Sequence, residues 1–263
     1  MSKQNPITQA FQKGKAFIGF VTGGDPHIEK TKELILEMIR AGADIIEIGI
    51  PFSDPIAEGP IIQEANIRAL SAGTTVEKLF TLVKELRAQT AVPLVFLTYL
   101  NPVFHYGYDA FFKRCGDAGV NGIIIPDLPF EEQPPIRQAS SKYGVDLISL
   151  IAPTSEERIQ EIAKTATGFI YLVSSMGVTG VRSTITTDIS AMVQAVRAVT
   201  TVPIAVGFGI HSPDQASQMA AIADGVIVGS AIVKIIAEQG EQAAPSVYQY
   251  VKQMKEAIGK QPS

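Results

Sequence analysis

Eight short apolar runs recur from one end of this chain to the other, and the stretches between them keep a helical period. The runs are FIGFVT (17–22), DIIEIGI (44–50), PLVFLTY (93–99), GIIIPD (122–127), DLISLIA (146–152), GFIYLVS (168–174), PIAVGFG (203–209) and GVIVGS (225–230). Most are β-branched and apolar on both faces, as strands are when helices cover a parallel sheet on each side. Between them, Leu34, Ile35, Met38 and Ile39 share one helix face, and Val76, Leu79, Phe80 and Val83 another. Glycines close several of these helices, as in Ala41-Gly42, Ala118-Gly119 and Tyr143-Gly144. Eight such units predict an α/β fold, a TIM (β/α)8 barrel, with residues 1–263 as a single domain bearing added N-terminal and C-terminal helices. The tail 241–258 is expected to be the second of these. A doubly wound open sheet is the alternative, but its first turn ordinarily carries GxGxxG, and here TGGDP runs into Pro26.

With 46% hydrophobic and 18% charged residues among 263, the chain can bury a core of the size a single α/β barrel needs. A net charge of −4 leaves no basic stripe for nucleic acid and no polybasic surface for anionic membranes. No stretch approaches the roughly 20 apolar residues of a membrane span, and the polar start MSKQNPITQAFQKGK has no signal-peptide core. Cys115 is the single cysteine, so no intrachain disulfide forms and a reducing, cytoplasmic setting is expected. Metal binding is not expected, because His27, His105 and His211 lie far apart and none sits near a Cys or in HxxxH spacing.

In a barrel, function belongs at the C-terminal strand ends and the loops that follow them. Alternation in DIIEIGI puts Ile46, Ile48 and Ile50 on one face and Ile45, Glu47 and Gly49 on the other. The aliphatic triple suits the helix-facing side, so Glu47 points inward. A carboxyl group walled by apolar residues has its pKa raised by desolvation, which a proton donor at neutral pH requires. The next loop, PFSDPIAEGP (51–60), holds Asp54 and Glu58 among three stiffening prolines. Asp54 reads equally as a turn-former, and Glu58 alone is undecided.

VGFGI (206–210) and VGSAIVKII (228–236) end the last two strands with glycines, and the second opens a helix with Ser230 in an N-cap position. Backbone N–H groups at Gly209, Gly229 and Ser230 therefore make a phosphate site of the kind barrels place there. SSMGVTGVRSTI (174–185) has the profile of a lid, and its Gly180 adds a further N–H. Tyr99, Asp127 and Tyr171 sit near strand ends. These features together describe a metal-free acid/base enzyme acting on a small phosphorylated metabolite.

Six segments carry a closer likeness: FVTGGDP (20–26), GADIIEIGIPFSDPIAEGP (42–60), PDLPFEE (126–132), YLVSSMGVTGVR (171–182), GFGIHSPDQ (207–215) and GSAIVKII (229–236). In order and spacing they resemble the tryptophan synthase alpha subunit family along nearly the whole chain. The resemblance implies a reverse aldol cleavage of indole-3-glycerol phosphate to indole and glyceraldehyde 3-phosphate, without a cofactor in this chain. It assigns Glu47 as general acid/base and Glu58 as the carboxylate that bonds the indole N–H. Many members carry Asp in the segment written IAEGP here, so Glu58 supplies that charge from one methylene further out. Thr179 matches a lid residue closing against the Glu58 loop, Tyr171 the ring beside the acid/base, and Phe20 and Tyr99 positions lining the indole pocket. Asp54 matches a position concerned with subunit communication.

The family further implies a pyridoxal-phosphate beta subunit, in an alpha2beta2 complex, that receives indole through a tunnel and docks on PFSDP and LNPVFHYG (100–107). A stand-alone lyase releasing free indole, a sugar-phosphate isomerase barrel and a purely regulatory subunit are the alternatives. The chain has no Trp, so an indole pocket must be built from Phe, Tyr, Leu and Ile.

Overall fold

The structure, a computed structural model, describes residues 5–173, 185–207 and 209–259. Its strands are β1 (Ala16–Thr22), β2 (Ile45–Gly49), β3 (Leu94–Leu97), β4 (Gly122–Ile124), β5 (Asp146–Leu147), β6 (Ser149–Ile151), β7 (Ile170–Val173), β8 (Ile204–Gly207) and β9 (Gly225–Val228). All pair in parallel, in the order β5-β4-β3-β2-β1-β9-β8-β7-β6. The two outermost strands are halves of the fifth apolar run, separated only by Ile148. One half pairs with β4 and the other with β7, and Ile148 donates its N–H to Ile123 O at 2.9 Å. The run thus joins the two ends of the sheet and closes it into a barrel. An open, doubly wound sheet would have left two separate edges.

The helices are α1 (Pro6–Phe11), α2 (Ile28–Arg40), α3 (Pro60–Ser71), α4 (Val76–Arg87), α5 (Leu100–Tyr106), α6 (Tyr108–Ala118), α7 (Gln133–Lys142), α8 (Glu156–Lys164), α9 (Ile185–Arg197), α10 (Pro213–Ile222), α11 (Ser230–Gln239) and α12 (Ala243–Gly259). Alternation along the strands divides the core in two. Outward residues such as Ile46, Ile48, Phe96, Ile123 and Val206 lie under the helices. Inward residues Ile18, Ile45, Val95, Ile124, Ile148, Phe169, Ala205 and Ile227 fill the barrel. Each fully buried aliphatic side chain of this size contributes about 1.5–3 kcal/mol.

The added helices close the outside. α1 is capped by the Asn5 side chain, which accepts the Ile7 N–H at 2.9 Å, and Ile7 joins the inward cluster. It plugs the N-terminal end of the barrel: a Cβ at Gly122 would stand 2.9 Å from Ile7 Cδ1. The expected C-terminal helix is α12, packed against α2, α10 and α11. Lys255 anchors it, donating to Asp44 Oδ2 at 2.5 Å and Lys15 O at 2.8 Å. Of the expected glycine closures, Gly119 takes the left-handed conformation, φ +92°, that ends α6.

Candidate active site

The C-terminal strand ends, opposite the plugged end, open onto a cavity of about 520 Å³. Phe20, Glu47, Leu97, Tyr171 and Ile227 reach it from the strands. Glu58 and its neighbours form one wall, and Gly209, His211, Gly229, Ser230 and Lys234 form another. A wider groove of about 840 Å³, between α7 and α8 and lined by Arg137, Arg158 and Lys164, lies outside the barrel and includes no strand-end residue.

Glu47 points inward, as alternation in β2 predicts, and is 2% exposed. Its Oε2 finds no hydrogen-bond partner among the described residues. Burial, reinforced by the charge of Glu58, pushes its pKa up to about 8. At pH 7 a group titrating there is about nine-tenths protonated. This carboxyl group therefore holds a proton that it can give away.

Glu58 is half-buried. Asn66, on the inward face of α3, donates its side-chain N–H to Glu58 Oε2 at 2.6 Å, and the Tyr99 hydroxyl is a second partner. Burial raises the Glu58 pKa above the usual carboxylate value, while Asn66 and Tyr99 pull it back down. Tyr99 stands one layer behind the cavity wall. Its hydroxyl accepts the Ala57 N–H at 3.0 Å, and its ring packs 5.5 Å from that of Phe52. It props the loop rather than facing the cavity, and burial pushes its own pKa up to about 12.

Phe20 lies at the inward end of β1 against Ala65, Val233, Ile62 and Leu97. Gly49 makes its place, since a Cβ there would stand 2.8 Å from Phe20 Cζ. Tyr171 lies over Gly207 in the same way, at 2.5 Å from a Cβ to its hydroxyl oxygen. Burial and then the charge of Glu47 hold the Tyr171 hydroxyl protonated.

At the opposite wall Gly209 has φ +78°. Gly229, not Ser230, is the N-cap of α11, and no side chain caps the helix. Ser230 is its first helical residue, because the turn of the chain falls on the glycine. First-turn N–H groups have no partner within a helix, and the first residues of α11, Ser230 and Ala231, line the cavity. Asp127 Oδ1 accepts the Leu100 N–H at 2.8 Å, at the start of α5. Asp54 is exposed and accepts a hydrogen bond from Ser53 Oγ. Thr179, Gly180 and the rest of the expected lid segment 174–184 lie outside the described residues.

Asn66 was not among the residues the sequence singles out. Its signal is one amide on a helix face otherwise made of Ala65 and Ala69, eight residues after Glu58. No cluster of three or more metal-ligating side chains occurs among the described residues.

The working face of a (β/α)8 barrel is the one at its C-terminal strand ends, and here that face carries a proton-bearing carboxyl group opposite a glycine-lined helix start. The chain is a (β/α)8-barrel enzyme. Residues 8–259 match the family described as Tryptophan synthase alpha chain. Tryptophan synthase alpha chains of Lacticaseibacillus casei and Lactiplantibacillus plantarum are each 50% identical, the first over 96% of this chain and 95% of its own length, the second over 96% of both. The solved alpha chain of Legionella pneumophila superposes with a TM-score of 0.87 at 35% identity, covering 97% of each chain. A Mycobacterium tuberculosis tryptophan synthase structure superposes with a TM-score of 0.89 at 34% identity, covering 99% of each. The chain belongs to the tryptophan synthase alpha chain family. It is a carbon–carbon lyase that cleaves indole-3-glycerol phosphate to indole and D-glyceraldehyde 3-phosphate.

Proposed function

We propose that Glu47 and Glu58 divide this cleavage between them, and that the chain needs no cofactor of its own. The observation that carries the proposal is the buried Glu47 carboxyl group, its Oε2 without a hydrogen-bond partner among the described residues, opening into the same cavity as Glu58. Glu47 gives its proton to the ring carbon that bears the side chain, leaving positive charge on the indole nitrogen. Glu58, ionised, accepts the N–H and stabilises that charge; a preorganised group of this kind is worth about 3–4 kcal/mol when judged by removing an oxyanion donor. Glu47, now a carboxylate, takes the proton of the adjacent side-chain hydroxyl. The carbon–carbon bond breaks, its electron pair restores the indole ring, and the oxygen becomes the aldehyde carbonyl. Glu47 ends protonated, as it began.

In this reading Phe20, Leu97 and Tyr171 hold the ring. Gly209, Gly229 and Ser230 take the phosphate with N–H groups. The partner is a beta subunit, in an alpha2beta2 complex in the cytoplasm, with pyridoxal phosphate on that subunit, and indole passes to it. Two large apolar side chains support a docking face on PFSDP (51–55) and LNPVFHYG (100–107): Phe104 in the second is 66% exposed, and Ile56, the residue after the first, 78%. Among the described residues no helix is long and apolar enough to cross a membrane.

Indole released from indole-3-glycerol phosphate by purified chain tests the roles. Glu47→Gln and Glu58→Gln are each expected to lose at least about a hundredfold in kcat. A near-native rate in either variant would remove that residue from the chemistry. Co-purification with a beta subunit, with a faster cleavage rate in the complex, tests the partner.

A further inference from the structure

We infer that Asn66 is a positioning residue for the cleavage: its amide fixes where the Glu58 carboxylate points and favours its ionised form. The inference rests on the role given to Glu58 above. The inward face of α3 is Ala65, Asn66 and Ala69, all buried, and the small alanines let the helix lie close against the barrel. A buried amide in such a setting is costly unless its hydrogen bonds are met. At 3% exposure Asn66 meets its donor on a charged acceptor, Glu58 Oε2, at 2.6 Å. That is the short distance of a charge-assisted bond.

The placement follows from helix geometry. Cα–Cβ bonds tilt toward a helix's N-terminus, so Asn66 reaches back along α3 to the residue ahead of its N-cap, Gly59. The carboxylate is thereby held between the amide of α3 and the hydroxyl of Tyr99, both of which donate to it. Donation to a carboxylate favours its charged form, and so does the positive end of α3. Burial and Glu47 of β2 oppose it. Among the described residues, Tyr171 of β7, His211 after β8 and Lys234 of α11 are the other titratable groups on the same cavity. Asn66 does not line that cavity and acts on the reaction through Glu58 alone.

The test is kcat and KM against pH for indole release by the native chain, Asn66→Ala, Asn66→Asp, Glu58→Gln and the Asn66→Ala/Glu58→Gln double variant. Losing one charge-assisted bond is expected to lower kcat about tenfold at neutral pH and to move the acid limb of the kcat profile up by about one pH unit. KM stays within about twofold. Asn66→Asp keeps the shape but sets a like charge against Glu58, so its acid limb moves further up; it carries the test if Asn66→Ala does not fold. In the Glu58→Gln background, Asn66→Ala costs nothing more. A folded Asn66→Asp or Asn66→Ala with an unmoved acid limb overturns the inference, as does a further tenfold loss in the double variant. A Glu58→Gln variant that cleaves at the native rate instead overturns the role of Glu58, and this inference with it.

Discussion

The carboxyl groups of Glu47 and Glu58 share one cavity, and the charge of Glu58 adds to burial in holding the Glu47 proton in place. Coupling of this kind makes each group's titration depend on the other's charge. The alkaline limb of kcat/KM is therefore expected at about pH 8, where Glu47 loses its proton. Neutralising its neighbour in Glu58→Gln removes the like charge, so Glu47 should titrate at lower pH. Carbon-13 NMR of the Glu47 carboxyl group reads that shift directly, even in a variant with little activity. An unchanged titration would mean that the two groups do not act on each other.

The same proton makes Glu47 a stability cost. An acid whose folded pKa lies above its unfolded one binds more protons folded than unfolded between the two values, so folding weakens as pH rises from 4.5 to about 8. Over the 2.5 pH units up to neutrality, at about 1.4 kcal/mol each, the loss is about 3 kcal/mol. Glu47→Gln carries no such term. Relative to the native chain it should melt several degrees higher at pH 8 and show little of that gain at pH 5, while losing cleavage. Thermal unfolding of the two proteins at both pH values checks this.

Glu58→Asp restores the residue common in the family but not, in this chain, its reach. The Glu58 carboxylate is placed by Asn66 and Tyr99, and shortening the side chain draws it away from both donors. Misplacement of a reacting group by about 1 Å can cost about a hundredfold. The expected result is a 10- to 100-fold fall in kcat with KM for indole-3-glycerol phosphate little changed, measured by steady-state indole release.

What could be read ahead of the structure was whatever depends on local periodicity. Strand alternation alone turned Glu47 inward, because Ile46, Ile48 and Ile50 needed the helix-facing side. The closed barrel was legible, but the split of its fifth run into β5 and β6 was not, since no Gly or Pro marks Ile148 as the break. The family likeness puts Tyr99 in the indole pocket; nothing local says that the 51–60 loop gives its hydroxyl the Ala57 N–H. Asn66 escaped notice for a related reason. A helical period scores apolar residues, and an Asn between Ala65 and Ala69 reads as surface until Glu58 is placed beside it.

Arg68 and Asp25 tie α3 to the turn after β1, through Nε to Oδ1 and Nη2 to Oδ2, both at 2.8 Å. Asp25 is 1% exposed, whereas the Arg68 side chain is a third exposed. Removing only the arginine leaves a charge buried without a counterion, which costs about 3–5 kcal/mol in a fully buried pair. The solvent that reaches Arg68 reduces this to about 2–3 kcal/mol. In a chain of this size, where 1 kcal/mol moves Tm by about 2–4 °C, Arg68→Met should melt roughly 4–12 °C lower. Asp25→Asn combined with Arg68→Met should recover part of that loss, because removing both charges leaves none buried alone. The double-mutant cycle by thermal unfolding decides it: additive losses would mean that the two charges do not act on each other.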